Sequence, residues 1–286
     1  MLMKYSNAAM LVLLMWLQSV AWSTECAPYL ADHLIQLPDG SYYSGIIKDG
    51  VFNGKGELTW PNGKKYIGSF KNGLMHGSGK LIHANGDIYE GSFEKGVESG
   101  SGKYIFRGGD VYIGEFKNGH INGDGKLATI NGGKYIGKFK DGYYQGVGKL
   151  YYPNGDIYEG QFVEGVPQGE GRLVKPGVGT YNGSFSAKGF HGKGVFTFED
   201  GSTYKGDFEN GLWNGQGIRS FANGDIYTGH FKNGVFHGYG IYKYKSGEKY
   251  EGMFANNVFH GEGLYIDSKG KRTAGIWKDG EFVSTQ

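Results

Sequence analysis

His76, His191, His237 and His260 each stand directly before a Gly-x-Gly pair, at positions separated by multiples of 23 residues. A line of imidazoles could hold metal ions or titrate as a pH sensor. The same slot, however, carries Asn53, Ser99, Asn122, Gln145, Gln168 and Asn214. Amides and a hydroxyl in that place point instead to a turn residue that hydrogen-bonds the backbone. Charges also recur in register. Asp87, Asp110, Asp156, Asp225 and Glu248 share one turn position, and Lys48, Lys71, Lys117, Lys140, Lys232 and Lys278 share another. Solvated turns that keep a flat sheet from aggregating explain both margins, with electrostatic guidance of a partner as the functional alternative. No G-x-S-x-G elbow, phosphate loop, dinucleotide fingerprint or H-E-x-x-H pair occurs. The sequence therefore predicts no catalytic residue, no metal and no cofactor.

What positions these side chains is a repeat of 23 residues without insertion or deletion. It opens at Tyr43, Tyr66, Tyr89, Tyr112, Tyr135, Tyr158, Tyr181, Tyr204, Tyr227 and Tyr250, with a truncated copy from Thr273. Such periodicity means one structural unit stacked in a row. Tyr66, Gly68 and Phe70 alternate with Ile67 and Ser69, as in a strand with two distinct faces. Asn72-Gly73 suits a tight reversal; Gly77, Gly79 and Leu81 follow along a second strand; Asn85-Gly86 turns into the next copy. The expected fold is all-β: an elongated, single-layer antiparallel β-hairpin solenoid forming a twisted ribbon. Its 55 glycines sit on a lattice with aromatics, which argues against low-complexity disorder. Glycine leaves ground on which neighbouring rings can lie, and each buried ring contributes about 2 kcal/mol.

The run Tyr-Ile-Gly-Ser-Phe-Lys-Asn-Gly-Leu-Met-His-Gly-Ser-Gly-Lys-Leu (66–81) closely resembles the MORN repeat. The resemblance extends from Tyr43 to the C-terminus. It implies a hairpin solenoid used for protein association and, in some relatives, linked to phospholipid contact. It implies no catalytic residue.

Ahead of the array, residues 1–23 carry Lys4 as their only charge and a mostly apolar run from Ala8 to Val20. That run is short of the roughly 20 residues a membrane span needs. Ala21-Trp22-Ser23 offers small residues for cleavage, so the segment reads as a secretory signal and the protein as exported, periplasmic or secreted. Cys26 is the only cysteine, so no intramolecular disulfide can form. Residues 24–42 read as a linker and half-repeat cap, 43–272 as ten repeats, and 273–286 as a partial repeat and C-terminal cap. Pro167, Pro176 and Lys188 make 158–190 irregular, and either a kink or simple drift in a tolerant loop is expected there.

With 30 basic and 28 acidic residues, charge favours neither nucleic acid nor an anionic membrane. The leading expectation is a non-catalytic scaffold holding a helix or peptide of a protein partner. The surface expected to do so is a partly exposed aromatic face of Tyr66, Phe70, Tyr89, Phe93, Tyr204, Phe208, Tyr227 and Phe231. The alternatives are a peripheral membrane module in weak association with phospholipid, or a binder of cell-envelope glycans. Open edge strands would also permit end-to-end self-association.

Overall fold

Two kinds of turn fold the repeat. In the short one, Asn72 and Gly73 both take the left-handed conformation (φ 50° and 80°), the geometry that matches the twist of a two-residue hairpin. In the longer one, the His83 amide donates to the Asp87 carbonyl at 2.8 Å and the Gly86 amide to the His83 carbonyl at 2.9 Å. Between them lie a seven-residue and a nine-residue strand, such as β4 (Lys65–Lys71) and β5 (Leu74–Ile82).

The structure, a computed structural model, describes residues 34–285. The segment read as a signal, and Cys26, lie outside them. The described residues form one open antiparallel sheet of 23 strands, from β1 (Ile35–Gln36) to β23 (Glu281–Ser284). Each strand pairs with its neighbours in sequence, so the chain is a continuous meander. The expected N-terminal cap is present in short form: Ile35 and Gln36 pair with Tyr43 and Tyr42 of β2 (Tyr42–Lys48). At the C-terminal edge, β23 folds back on β22 (Arg272–Lys278) and pairs Phe282 with Trp277.

The pairing places glycine opposite glycine at every step. Gly56 lies opposite Gly68, Gly68 opposite Gly79, Gly79 opposite Gly91, and the row continues unbroken from Gly45 to Gly275. On one side of this row each repeat tyrosine lies down. A Cβ added at Gly79 would meet the Tyr66 ring carbon Cζ at 2.6 Å, and one at Gly68 would meet the Gly79 Cα at 2.6 Å. Only glycine fits between these strands and under this ring.

The register slips between Gly68 and Phe70, where β5 bulges against β4. Gly77 absorbs the bulge at φ 67°. Ser69 is skipped in that ladder, and its carbonyl accepts the Tyr66 hydroxyl at 2.8 Å. The same bond, from tyrosine to the carbonyl three residues on, recurs in every repeat from Tyr43–Ile46 to Tyr250–Met253. Bulge, glycine and tyrosine are one device.

Ring contacts carry the packing from repeat to repeat. Tyr66 meets Phe70 of its own copy and Phe93 of the next edge-on, both at 5.0 Å between centroids. Where the second residue of the second strand is aromatic, the tyrosine also stacks on it, as Tyr135 does on Tyr144 (3.8 Å) and Tyr250 on Phe259 (3.7 Å). Stability is therefore built from neighbour contacts along the array.

The kink at 158–190 is not found. Glycine pairing runs through it (Gly160–Gly171, Gly171–Gly183, Gly183–Gly194). Pro167 sits opposite Phe162 near the start of β13 (Val166–Lys175), before pairing with β14 (Gly179–Ser186) begins at Gly169–Phe185. Pro176 falls in the loop that joins them. Pro167 is thus held near a strand end and Pro176 in a loop, and neither interrupts the glycine row.

Candidate partner-binding surface

The two faces of the sheet have different fates. The eight aromatics expected to be partly exposed are buried: Tyr66, Tyr89, Tyr204, Tyr227 and Phe231 at 0% exposure, Phe93 and Phe208 at 3%, and Phe70 at 4%. Their role as a direct contact surface is corrected on that ground. The glycine row lets the rings lie against the backbone, and each tyrosine hydroxyl is held by its own strand. Burial pushes the Tyr66 and Tyr158 hydroxyls up to about 12, with the backbone hydrogen bonds opposing that rise.

Two polar intrusions mark this tyrosine face. Glu98 replaces the aromatic or aliphatic residue at its position and lies 3.5 Å from His83. Arg219 replaces a leucine or tyrosine and stacks its guanidinium 4.2 Å from the Phe198 ring and 5.1 Å from Phe221. Burial lowers the Arg219 pKa, and Asp200 opposes the fall. Neither intrusion gathers the set of groups that catalysis needs.

The turn margins are structural. Asp87 accepts the Arg107 amide at 2.7 Å, Asp110 the Ile130 amide at 2.9 Å and Asp225 the Lys245 amide at 2.9 Å. Each carboxylate thus ties its turn to the equivalent turn of the next copy. The slot that holds the histidines behaves likewise: Asn214 accepts the Asn233 amide and Gln145 the Glu164 amide, both at 3.2 Å. No group of three potential metal ligands occurs among the described residues. The lysine margin from Lys48 to Lys278 is exposed.

Among the described residues the opposite face carries no recurring column of rings. Its side chains form two rows flanking the glycine row, and they vary from copy to copy. One row runs Ile67–Lys80–Glu90–Lys103–Ile113 across successive strands. The other includes Ser78–Ser92, Asp124–Lys138 and Tyr239–Met253. Large apolar groups stand in water here: Ile113 is 54% exposed, Val147 67% and Tyr239 55%. A shallow open trough of about 560 Å³ lies over Gly183, Gly194, Gly206 and Gly217, walled by Asn182, Val195, Lys205, Gln216, Ile218 and Thr228. The sequence reading missed this face because it followed the constant positions. Aligning the repeats and reading the variable columns would have found it.

An open array with one self-packed face and one variable face is a repeat scaffold. The chain belongs to the MORN-repeat family: the MORN repeat model matches ten consecutive segments, 43–65, 66–88, 89–111, 112–134, 135–157, 158–177, 181–203, 204–226, 227–249 and 250–272. The shortened match at 158–177 coincides with the proline loop. No curated protein matches the sequence. Among solved structures, the TCP10 domain of Danio rerio CPAP in complex with a STIL peptide is similar at 15% identity and a TM-score of 0.43, covering 86% of this chain and 99% of that one. The Drosophila melanogaster SAS-4 TCP domain in complex with a proline-rich motif of Ana2 is similar at 18% identity and a TM-score of 0.31, covering 74% and 97%.

Proposed function

We propose that this protein is a non-catalytic scaffold, exported on the strength of its N-terminal segment, that binds a protein partner on the face opposite the tyrosines. One observation carries the reading. The sheet completes its own packing on the tyrosine side, yet presents Ile113, Val147, Ile218, Tyr239 and Met253 to water on the other. Exposed apolar side chains that adjoin one another mark a recognition site, and Tyr239 and Met253 stand opposite each other on this face. The family supports the scaffold role. No helix among the described residues is long and apolar enough to cross a membrane.

The test is site-specific photo-crosslinking in the native setting. A photoreactive residue at Ile113 or Ile218 should yield one and the same partner adduct, and a probe at Lys48 or Lys278 should not. Adducts confined to the lysine margin would overturn the reading. So would flotation of the purified protein with anionic vesicles in place of any protein adduct.

A further inference from the structure

On the variable face, one position in the second strand of each repeat is sorted along the array after the first copy, where it carries Glu57. From β5 to β13 it carries Lys80, Lys103, Lys126, Lys149 and Arg172 in unbroken succession. From β15 (Gly189–Phe198) to β21 (Val258–Ile266) it carries Val195, Ile218, Ile241 and Leu264. All nine lie in the row beside the glycines, as the pairs Ile67–Lys80, Lys103–Ile113, Lys149–Glu159, Val195–Lys205 and Leu264–Ala274 show. A position that merely had to be solvated would have no reason to sort into five cations and then four aliphatics.

We infer that this row is a two-part docking strip for a single extended segment of a partner protein, acidic over β5–β13 and apolar over β15–β21. The inference rests on the scaffold reading and names the chemistry of the partner. Charge complementarity sets the acidic half. Lys103 and Arg172 make no ion pair among the described residues. Lys80 pairs with half-buried Glu90 (2.6 Å), and Lys149 with exposed Glu159 (3.1 Å) beside the Tyr151 ring, surface contacts weak enough for an incoming carboxylate to displace. Ile113 and Ile136 stand between successive cations and add apolar contact. In the second half, Tyr239 and Met253 face each other in the neighbouring row and widen the apolar ground.

The same geometry disfavours a polyanion. The cationic line is one side chain wide, and Glu90, Glu115, Asp124 and Glu159 share its face, whereas phosphates or anionic headgroups call for a broad basic surface. Spacing also fits an extended chain in the polyproline II conformation. Equivalent strands are two steps apart, about 10 Å, close to one polyproline II turn of three residues at about 3.1 Å each, which returns every third side chain to the same face. A partner would present an acidic side chain at every third position and then an apolar one at every third position. The trough at Asn182–Thr228 lies where the two halves meet.

The test uses the full chain and three synthetic peptides of 25 residues. Two have glutamate at every third position of one half and leucine at every third position of the other, in the two chain directions. The third has the same composition with glutamate and leucine interleaved. One bipartite peptide should bind at least about tenfold tighter than the interleaved control. Lys103→Glu/Lys126→Glu/Lys149→Glu should weaken it about tenfold and flatten its salt dependence. Ile218→Ser/Ile241→Ser should weaken it comparably and leave the salt dependence intact. These side chains lie outside the buried core, so both variants should keep the parent melting temperature, which is checked alongside. Equal binding of the interleaved peptide, or an unchanged affinity in the lysine variant, overturns the strip. If crosslinks from Ile113 and Ile218 nevertheless persist, the scaffold reading stands and only the strip falls.

Discussion

The tyrosine face and the face behind it are made by the same strands, yet they obey opposite rules. On the first, Tyr, Gly and Phe recur almost without exception, and every ring is engaged with a glycine, a carbonyl or another ring. On the second, lysine, isoleucine, glutamate and serine alternate from strand to strand, and the same column changes its chemistry along the array. The constancy of the first face follows from contact distances that leave no room for change. The variety of the second face follows from the lack of any internal demand on it. Regularity in this chain records folding, and departure from regularity is where recognition has room to act.

Three measurements would break or sharpen that contrast. The largest effect belongs to the glycine row. Gly79→Val places a branched side chain where even a Cβ would meet the Tyr66 ring at 2.6 Å. The expected loss is about 3 kcal/mol or more, read from urea unfolding, with exchange of amides concentrated in the adjoining copies. A near-neutral result would refute the account of the tyrosine face.

A second, intermediate effect is alkaline. Burial raises the repeat tyrosines above their ordinary value, Tyr66 and Tyr158 to about 12. A raised folded-state pKa means the unfolded chain loses its phenolic protons first. The associated stability is complete below pH about 10 and is lost as pH climbs toward 12. Absorbance of phenolate should therefore rise together with loss of circular dichroism between those limits. Phenolate formation from the repeat tyrosines while the sheet stays intact would show that the rings are not held as described.

The smallest effect should come from the variable face. Ile113→Ser with Lys126→Ser should leave stability within about 0.5 kcal/mol of the parent, because neither side chain packs in the core. A loss near that of Gly79→Val would erase the distinction between the two faces.

Much of the fold is legible in the sequence, for reasons that particular residues make plain. Asn72-Gly73 announces a two-residue turn because few other pairs accept left-handed geometry twice in succession. The alternation at 66–70 announces a strand. The posture of the rings is less legible. Whether Tyr66 stands up or lies down depends on Gly68 and Gly79 being brought face to face by pairing, and on Ser69 losing a ladder partner at the bulge. The prolines misled for a related reason. Pro167 and Pro176 look disruptive along the chain, but the pairing of β13 with β14 begins after the first and ends before the second, and Pro167 keeps its place opposite Phe162. The variable face stayed hidden because the column from Lys80 to Leu264 has no motif, only an order.

The open meander has a mechanical corollary. Its two ends lie at opposite edges of the sheet, with β1 first and β23 last. Tension applied between them acts across the strands and opens the backbone hydrogen bonds one ladder at a time, as in a zip. No second layer shares the load. Each 23-residue copy that peels away would release up to roughly 80 Å of chain, so a tethered array would lengthen in equal steps from its ends inward and shorten again as copies re-pair.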